Sequence, residues 1–159
     1  MDSSDVLAKY FCGDSRGYFY REKTFEGTDE EYLEAKRRSA TVFVSNVCAL
    51  VREERIWELF LLCGRVRRVI MGLNRNTLRF CGFCFVEFYA RESADAAVRY
   101  LNGFRLEQSP LSIDKDYGFV DGRQYGRGMF GGRVKQDKLY VEDMHHRDVK
   151  RGKYIRRQR

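Results

Sequence analysis

The sequence predicts an α+β fold of order βαββαβ, with a four-stranded antiparallel sheet that carries two helices on one face. Four short segments show the alternation of apolar residues that is typical of strands, and two segments between them show helical spacing instead. Phenylalanines also lie on the face of two predicted strands that is opposite to their core residues. The helices therefore cover one face, and the other face is left to aromatic rings.

The first elements are predicted by caps and by periodicity. Thr28 and Glu31 have capping-box spacing, which predicts a short helix near 29–38. Residues 41–47 alternate as the first strand, and apolar residues at helical spacing predict the first sheet-covering helix at 52–62.

The later elements complete the sheet. Valine and isoleucine predict a second strand at 66–71, followed by a polar loop at 72–80. Residues 82–89 form the third strand, residues 91–101 repeat apolar side chains at helical spacing, and residues 111–115 alternate as the fourth strand.

Composition divides the chain into four predicted parts. An N-terminal arm with a short helix occupies 1–38, and the sheet domain occupies 39–117. A Gly/Arg-rich extension follows at 118–137, and 138–159 is a basic tail. The tail contains Lys/Arg clusters that are compatible with a nuclear-import signal, with non-specific RNA contact or with a solvated segment.

Charge and cysteine content limit the class of protein. The 159 residues carry a net charge of +7, which favours an anionic partner. The five cysteines are scattered among apolar segments, so we expect reduced thiols and an intracellular site. No apolar run approaches the ~20 residues that span a bilayer, and no secretory signal is visible, so no membrane partner is predicted.

Motifs for catalysis or metal binding are not found in the sequence. There is no Ser/His/Asp or Cys/His set and no phosphate-binding P-loop. Cys81 and Cys84 have CxxC spacing, but residues three apart in a strand point to opposite faces and cannot share a metal ion. We therefore predict a binding protein without metal or cofactor, not an enzyme.

The third strand resembles an RNA-recognition motif. The consensus is a basic residue, Gly, aromatic, Gly/Ala, Phe, Val, any residue, aromatic, and 81–88 matches it except that Cys81 replaces the basic residue and a second cysteine the small one. Phe83 and Phe85 should lie on the open face of the sheet with Phe43, as a stacking platform for bases. The alternative is a sheet buried on both faces.

The fourth strand should place two carboxylates beside these rings. Asp114 and Asp116 alternate with Ile113 and Lys115, so both aspartates face the aromatic side. Carboxylates repel phosphate but accept hydrogen bonds from the guanine edge, and an N7-methylated guanine is cationic and stacks well on rings. Alternatively, the aspartates cap a turn or pair with lysines.

In the segment 122–128, arginines are spaced by glycines. Arg123 and Arg127 therefore lie on a pliable backbone that can follow phosphates and can become ordered on binding. The alternative is an ordinary Arg/Gly-rich tail.

Taken together, these motifs resemble the small subunit of the nuclear cap-binding complex over roughly residues 20–134. The motifs are Tyr20-Arg21-Glu22 with Phe25, Ile70-Met71-Gly72-Leu73, Cys81–Glu87, Asp114 with Asp116, and Gly122–Gly128. That family binds the 5′ 7-methylguanosine cap of RNA polymerase II transcripts. The resemblance therefore implies an RNA-recognition-motif fold with N- and C-terminal extensions that form a cap site.

The resemblance implies a role for each site residue. Its cap-binding set is Tyr20, Phe43, Phe83, Phe85, Asp114, Lys115, Asp116, Arg123, Arg127, Arg133 and Val134. The first two would sandwich the methylated base, and the next two would line the pocket. The aspartates would read the guanine edge, Arg123 and Arg127 would hold the triphosphate, and residues 133–134 would touch the next nucleotide.

Four residues differ from those usual in the family. Phe43 replaces a tyrosine, Ser112 an arginine, Lys115 a tryptophan and Arg133 a glutamine. These differences preserve stacking and alter the readout of the guanine edge.

The resemblance also implies partners and a location. They are capped RNA, a large helical-repeat subunit and a nuclear-import receptor, in a protein of the nucleus that shuttles to the cytoplasm. The large subunit would contact the helix-and-loop face, with Trp57, Tyr32 and 37–38 as exposed candidates, although Trp57 also suits the core. The alternative functions are a generic single-stranded RNA-binding protein of splicing or processing, and a module for protein contact alone.

Overall fold

The computed structural model of the chain describes residues 21–134, which divide into two compact units between Glu34 and Ala35. Tyr20 and the predicted basic tail lie outside these residues. The elements are, in chain order, α1 (Asp29–Arg38), β1 (Thr41–Ser45), α2 (Glu53–Leu61), β2 (Val66–Leu73), β3 (Phe80–Phe88), α3 (Arg91–Leu101), β4 (Arg105–Leu106), β5 (Ser109–Pro110) and β6 (Ser112–Asp116).

Strands β1, β2, β3 and β6 form one antiparallel sheet in the spatial order β2-β3-β1-β6, and β4 and β5 form a separate hairpin. With α2 and α3, this order confirms the predicted α+β fold and its βαββαβ arrangement. Within residues 21–134, no helix is long and apolar enough to cross a membrane.

The core lies between the sheet and the helices α2 and α3. Alternate side chains of the strands point inward, as the period of two requires. The buried side chains include Val42, Val44, Val86 and Ile113 from the sheet, Ile56 and Phe60 from α2, and Ala94, Ala97 and Leu101 from α3. Each large apolar side chain contributes about 1.5–3 kcal/mol by leaving water. Trp57 is half-buried against this core, in line with the core alternative.

Several boundaries differ from the predicted ones by one or two residues, including those of α2 (predicted at 52–62), β3 (predicted at 82–89) and β6 (predicted at 111–115). Strand β1 ends at Ser45 because Asn46 adopts a left-handed backbone with φ of 60°. Strand β2 continues to Leu73 because this residue pairs with Phe80 of β3 after a register shift, and Leu73 also forms a bridge with Tyr125 of the extension. The polar loop is therefore shorter, at 74–79, and the hairpin of β4 and β5 was not predicted because its strands have two residues each.

The N-terminal unit has its own network of contacts. The predicted capping box is present, because the Glu31 amide donates to Thr28 Oγ1 at 3.2 Å and the Thr28 amide donates to Glu31 Oε2 at 2.7 Å. Arg21 donates to the backbone oxygen of Phe25 at 3.2 Å. Tyr32, expected to be exposed, is buried and packs edge-on against Phe25 with 5.2 Å between ring centroids.

The extension after β6 pairs with the outer edge of β2. The Leu73 amide donates to the Gln124 carbonyl at 2.7 Å, and the Gly126 amide donates to the Leu73 carbonyl at 2.8 Å. Leu73 and Tyr125 thereby form a parallel bridge. This pairing guides residues 117–134 across the sheet face that the helices leave uncovered.

Candidate nucleic-acid interface

Strands β1 and β3 bring three phenylalanines together on the sheet face opposite to the helices. Phe43 pairs in register with Phe85, and Phe83 lies two residues earlier on β3. The ring centroid of Phe43 lies 5.6 Å from that of Phe83 and 5.3 Å from that of Phe85. These tilted contacts fall within the range of favourable aromatic pairs. We call the three residues the aromatic cluster.

The aromatic cluster is largely covered, and the prediction that all three rings lie on an open platform is wrong. Phe83 and Phe85 are only 4% and 2% exposed. Phe119 packs on Phe85 with 5.3 Å between ring centroids, so the extension shields this end of the cluster. Phe43 keeps part of its surface accessible and is the ring on which an incoming base can stack.

Asp116 and Arg123 form a buried ion pair above the cluster. The Arg123 guanidinium donates to both carboxylate oxygens of Asp116, at 2.7 and 2.8 Å, and to the Gly118 carbonyl at 2.5 Å. It also lies over the rings of Phe85 and Tyr117, with its central carbon 4.8 and 4.3 Å from their centroids. The extension is thus fixed to β6 by a bidentate pair stacked between two rings.

The predicted alternatives for the aspartates apply in part to Asp116. Its carboxylate accepts from the Gly118 amide at 3.0 Å, which caps the turn after β6, and its charged partner is Arg123 rather than a lysine. Asp116 and Arg123, which were both predicted to bind the ligand, are therefore brought together, but they bind each other.

Asp114 and Lys115 lie on opposite faces of β6, as alternation predicted. Asp114 is exposed and lies opposite Phe43 in the register between β1 and β6. The Lys115 ammonium donates to Asp95 and to the Ser39 carbonyl, both at 2.7 Å, on the helix side of the sheet. Because the Lys115 side chain points to the helix side, only its backbone lies beside the aromatic cluster.

The end of the extension brings a second guanidinium to the cluster. The central carbon of the Arg133 guanidinium lies 5.5 Å from the ring centroid of Phe43. Burial lowers the pKa of Arg133, and the nearby Cys81 partly opposes this effect. Arg127 and Val134 are exposed in the same segment.

The two cysteines of the CxxC spacing have different surroundings. Cys84 lies in the core, where burial raises the pKa of its thiol to about 12 and keeps it protonated at neutral pH. Cys81 lies on the side of Arg133. The two sulfurs therefore lie on opposite faces, as strand geometry predicted.

Loop 74–79 holds the extension in place. The Arg75 amide donates to the Gly131 carbonyl at 2.8 Å, and the Asn74 side chain donates to the Phe130 carbonyl at 3.3 Å. Gly126 packs so closely against Gly131 that a β-carbon there would collide with the backbone. The glycines of this Gly/Arg-rich segment therefore allow close backbone packing, in addition to the backbone flexibility that the sequence suggested.

Sequence reasoning assigned no role to several residues that shape this face. Arg68 on β2 forms a bidentate pair with Glu87, at 2.5 and 3.0 Å, and its guanidinium carbon lies 5.1 Å from the Phe119 ring centroid. The hydrogen bond to Glu87 raises the pKa of Arg68.

Gly72 was assigned no role of its own, yet it makes room for Phe83. A glycine inside an apolar strand was the available signal, since it marks a close approach.

Gly72→Ala is expected to destabilise the domain by about 1–3 kcal/mol, because overpacking displaces a buried ring. A β-carbon at this position would lie 2.6 Å from the ring of Phe83. Chemical denaturation measures the loss. A double-mutant cycle with Phe83→Leu provides the control, because a smaller side chain should recover part of the stability. Equal losses in both backgrounds would contradict the proposed contact.

Comparison with known proteins identifies the motif and the family. The RNA recognition motif profile matches residues 42–112. Nuclear cap-binding protein subunit 2 of Oryza sativa subsp. japonica is 43% identical over 131 residues, which are 82% of this chain and 54% of the relative. The protein of the same name from Bombyx mori is 46% identical over 74% of this chain and 77% of its own length, and that of Ixodes scapularis is 48% identical over 74% and 78%.

The matched region thus spans about half of the rice relative and more than three quarters of the silkworm and tick relatives. The RNA recognition motif profile itself covers β1 to the start of β6, which includes the strands that carry the aromatic cluster. The chain belongs to the family of nuclear cap-binding protein subunit 2.

Proposed function

We propose that this chain binds the 5′ 7-methylguanosine cap of RNA polymerase II transcripts as the small subunit of a nuclear cap-binding complex. The names of its relatives support this function. The structural observation that carries it is the accessible ring of Phe43 with the exposed carboxylate position of Asp114 directly across the strand pair. A flat ring beside an acceptor suits a base that is both cationic and rich in N–H donors.

Stacking on Phe43 holds the methylated base in this proposal. The second ring of the sandwich is assigned by the family resemblance to Tyr20, which lies outside the described residues. Phe83 and Phe85 support Phe43 from within the sheet face. Methylation at N7 gives guanine a positive charge, so stacking gains a cation–π contribution of up to about 2 kcal/mol when water is excluded.

Readout of the guanine edge falls first to Asp114, whose exposed carboxylate can accept from N1–H and N2–H of the base. Lys115 contributes its backbone, because its side chain is bound on the helix side. Asp116 and Arg123 already bind each other, so a direct contact of either with the ligand requires this pair to open.

Arg127 and Arg133 form the proposed phosphate side of the site, and Arg133 with Val134 is proposed to touch the next nucleotide. Arg127 is exposed, and Arg133 lies at the edge of the aromatic cluster. Guanidinium groups bind phosphate oxygens through two parallel hydrogen bonds, which suits the triphosphate bridge of a cap. The side chains in this site bind and orient the RNA, and we assign no catalytic step to them.

The partner subunit is proposed to contact the helix side. A shallow groove of about 170 Å³ lies there between α2 and the β4–β5 hairpin, and its apolar lining includes Leu59, Leu62, Phe104 and Leu106. Its position opposite the aromatic cluster leaves the face proposed to bind RNA unobstructed.

We also propose that the protein is located in the nucleus and shuttles to the cytoplasm, with an import receptor as a further partner.

The proposed function is tested by titrating a 7-methylguanosine cap dinucleotide and its unmethylated counterpart, at fixed salt, with and without the large subunit. We expect the methylated form to bind more tightly by roughly 30-fold, because only the methylated base carries the cation–π contribution. Equal and salt-sensitive binding of both ligands, even in the complex, would instead indicate a generic single-stranded RNA-binding protein.

A further inference from the structure

Arg133 lies on the ring that the proposed function assigns to the base. Its guanidinium carbon is 5.5 Å from the Phe43 centroid, within the distance of a cation–π contact. The side chain is half-buried, so its charge has lost part of its hydration, and this burial lowers the pKa of Arg133. An arginine remains charged at neutral pH under such conditions. The contact is therefore made by a guanidinium cation.

The backbone before Arg133 is held by hydrogen bonds that set the position of this side chain. The Gly128 amide donates to the Gly132 carbonyl at 2.7 Å, and the Arg75 amide donates to the Gly131 carbonyl at 2.8 Å. Gly131 has a φ of 84°, which favours glycine at this turn. The turn directs the following residue, Arg133, toward the aromatic cluster.

We propose that Arg133 competes with the ligand for the ring of Phe43, so that a base can stack across the whole ring only by displacing this guanidinium. The inference rests on the proposed function. Phe83 and Phe85 flank Phe43 within the sheet face, at 5.6 and 5.3 Å between centroids. The part of the Phe43 ring that these neighbours leave uncovered is therefore shared between the guanidinium and an incoming base.

Displacing Arg133 from the Phe43 ring affects binding of the base and binding of the phosphates in opposite ways. Every base, methylated or not, must break the same contact between Arg133 and Phe43, so the competition weakens stacking without changing the preference for methylation. The displaced guanidinium stays on the same short segment as Arg127, on the proposed phosphate side, where it can bind phosphate oxygens. Arg133 thus opposes binding of the base and supports binding of the triphosphate.

The test compares 7-methylguanosine, which lacks phosphate, with 7-methylguanosine triphosphate in calorimetric titrations of the complex with the large subunit. Arg133→Met should bind the nucleoside about fivefold more tightly, because the competing cation–π contact is lost. The same variant should bind the triphosphate ligand at least about threefold more weakly, because a charge-assisted hydrogen bond is lost. Arg133→Lys keeps the charge, and its ammonium can keep part of the cation–π contact, so it should show a smaller nucleoside gain and a smaller loss of triphosphate binding.

Arg99→Met is the matched control, since it removes the same charge from the exposed side of α3, away from the aromatic cluster, and should leave nucleoside affinity unchanged. Thermal melting checks that each variant is folded. A nucleoside affinity that is unchanged or reduced in Arg133→Met would overturn the competition. If the wild type shows no preference for the methylated base, the proposed function fails instead.

The contact can also be observed without any ligand. In the wild type, the ring of Phe43 should shift the side-chain NMR signal of Arg133 upfield, and Phe43→Leu should abolish this shift. An Arg133 signal at its solvent-exposed position in the wild type would overturn the inference, whichever RNA the protein binds.

Discussion

Phe43→Ala is expected to weaken binding of a methylated cap dinucleotide by roughly 150-fold, or about 3 kcal/mol. Stacking on an aromatic ring contributes about 1–3 kcal/mol per base, and a cationic base adds up to about 2 kcal/mol. Phe43 is the member of the aromatic cluster with accessible surface, so no neighbouring ring can take its place. Titration of the complex with the large subunit measures the loss.

Phe43→Tyr is the matched variant, because it restores the residue usual in the family and keeps the ring. Its affinity should stay within about threefold of the wild type, since both rings stack well. Melting curves should show that Phe43→Ala remains folded, because its core-facing neighbours Val42 and Val44 are unchanged. Cap binding by Phe43→Ala at the level of Phe43→Tyr would contradict stacking at this position.

Asp116→Asn is expected to reduce the free energy of unfolding by about 3–5 kcal/mol, because it leaves the buried charge of Arg123 without its counter-ion. The side chains of Asp116 and Arg123 are only 8% and 5% exposed, so water compensates little. Chemical denaturation measures the overall loss. Hydrogen exchange at the Gly126 amide, which bonds to Leu73, reports whether the extension detaches from β2 first.

Asp114→Asn provides the control for this prediction, since it makes the same chemical change on the same strand at an exposed position. Its effect on stability should stay within about 0.5 kcal/mol. The two variants should also differ in binding, because Asp114 is the proposed acceptor of the guanine edge. A stability loss of equal size in both variants would show that the buried pair is not what holds the extension.

The fold could be predicted because its signals are local. Helix α3 has the predicted bounds of 91–101, since its apolar residues follow helical spacing without interruption. The capping box before α1 was equally clear. The end of β2 was less accessible to sequence reasoning, because Leu73 pairs with Phe80 after a register shift and also forms a bridge with Tyr125, far along the chain. Pairing of this kind depends on the folded chain and leaves no local pattern.

The candidate site was predictable in its parts but not in its arrangement. Alternation correctly assigned Phe83 and Phe85 to one face of β3, but it could not indicate that Phe119 would cover Phe85. Likewise, residue type suggested phosphate binding by Arg123, whereas the structure shows it bound to Asp116. An arginine and an aspartate seven residues apart carry no sequence signature of pairing, because the intervening turn sets their separation.

Pairing of the extension with β2 has a consequence for the behaviour of the protein in solution. Strand β2 lies at the edge of the sheet, and an exposed edge offers unpaired backbone groups to other copies of the chain. Residues 124–126 occupy part of this edge through their bonds with Leu73. The extension that packs on the aromatic cluster thus also covers part of the β2 edge and reduces the tendency of the sheet to pair with other copies. A change in this segment is therefore expected to affect both ligand binding and aggregation.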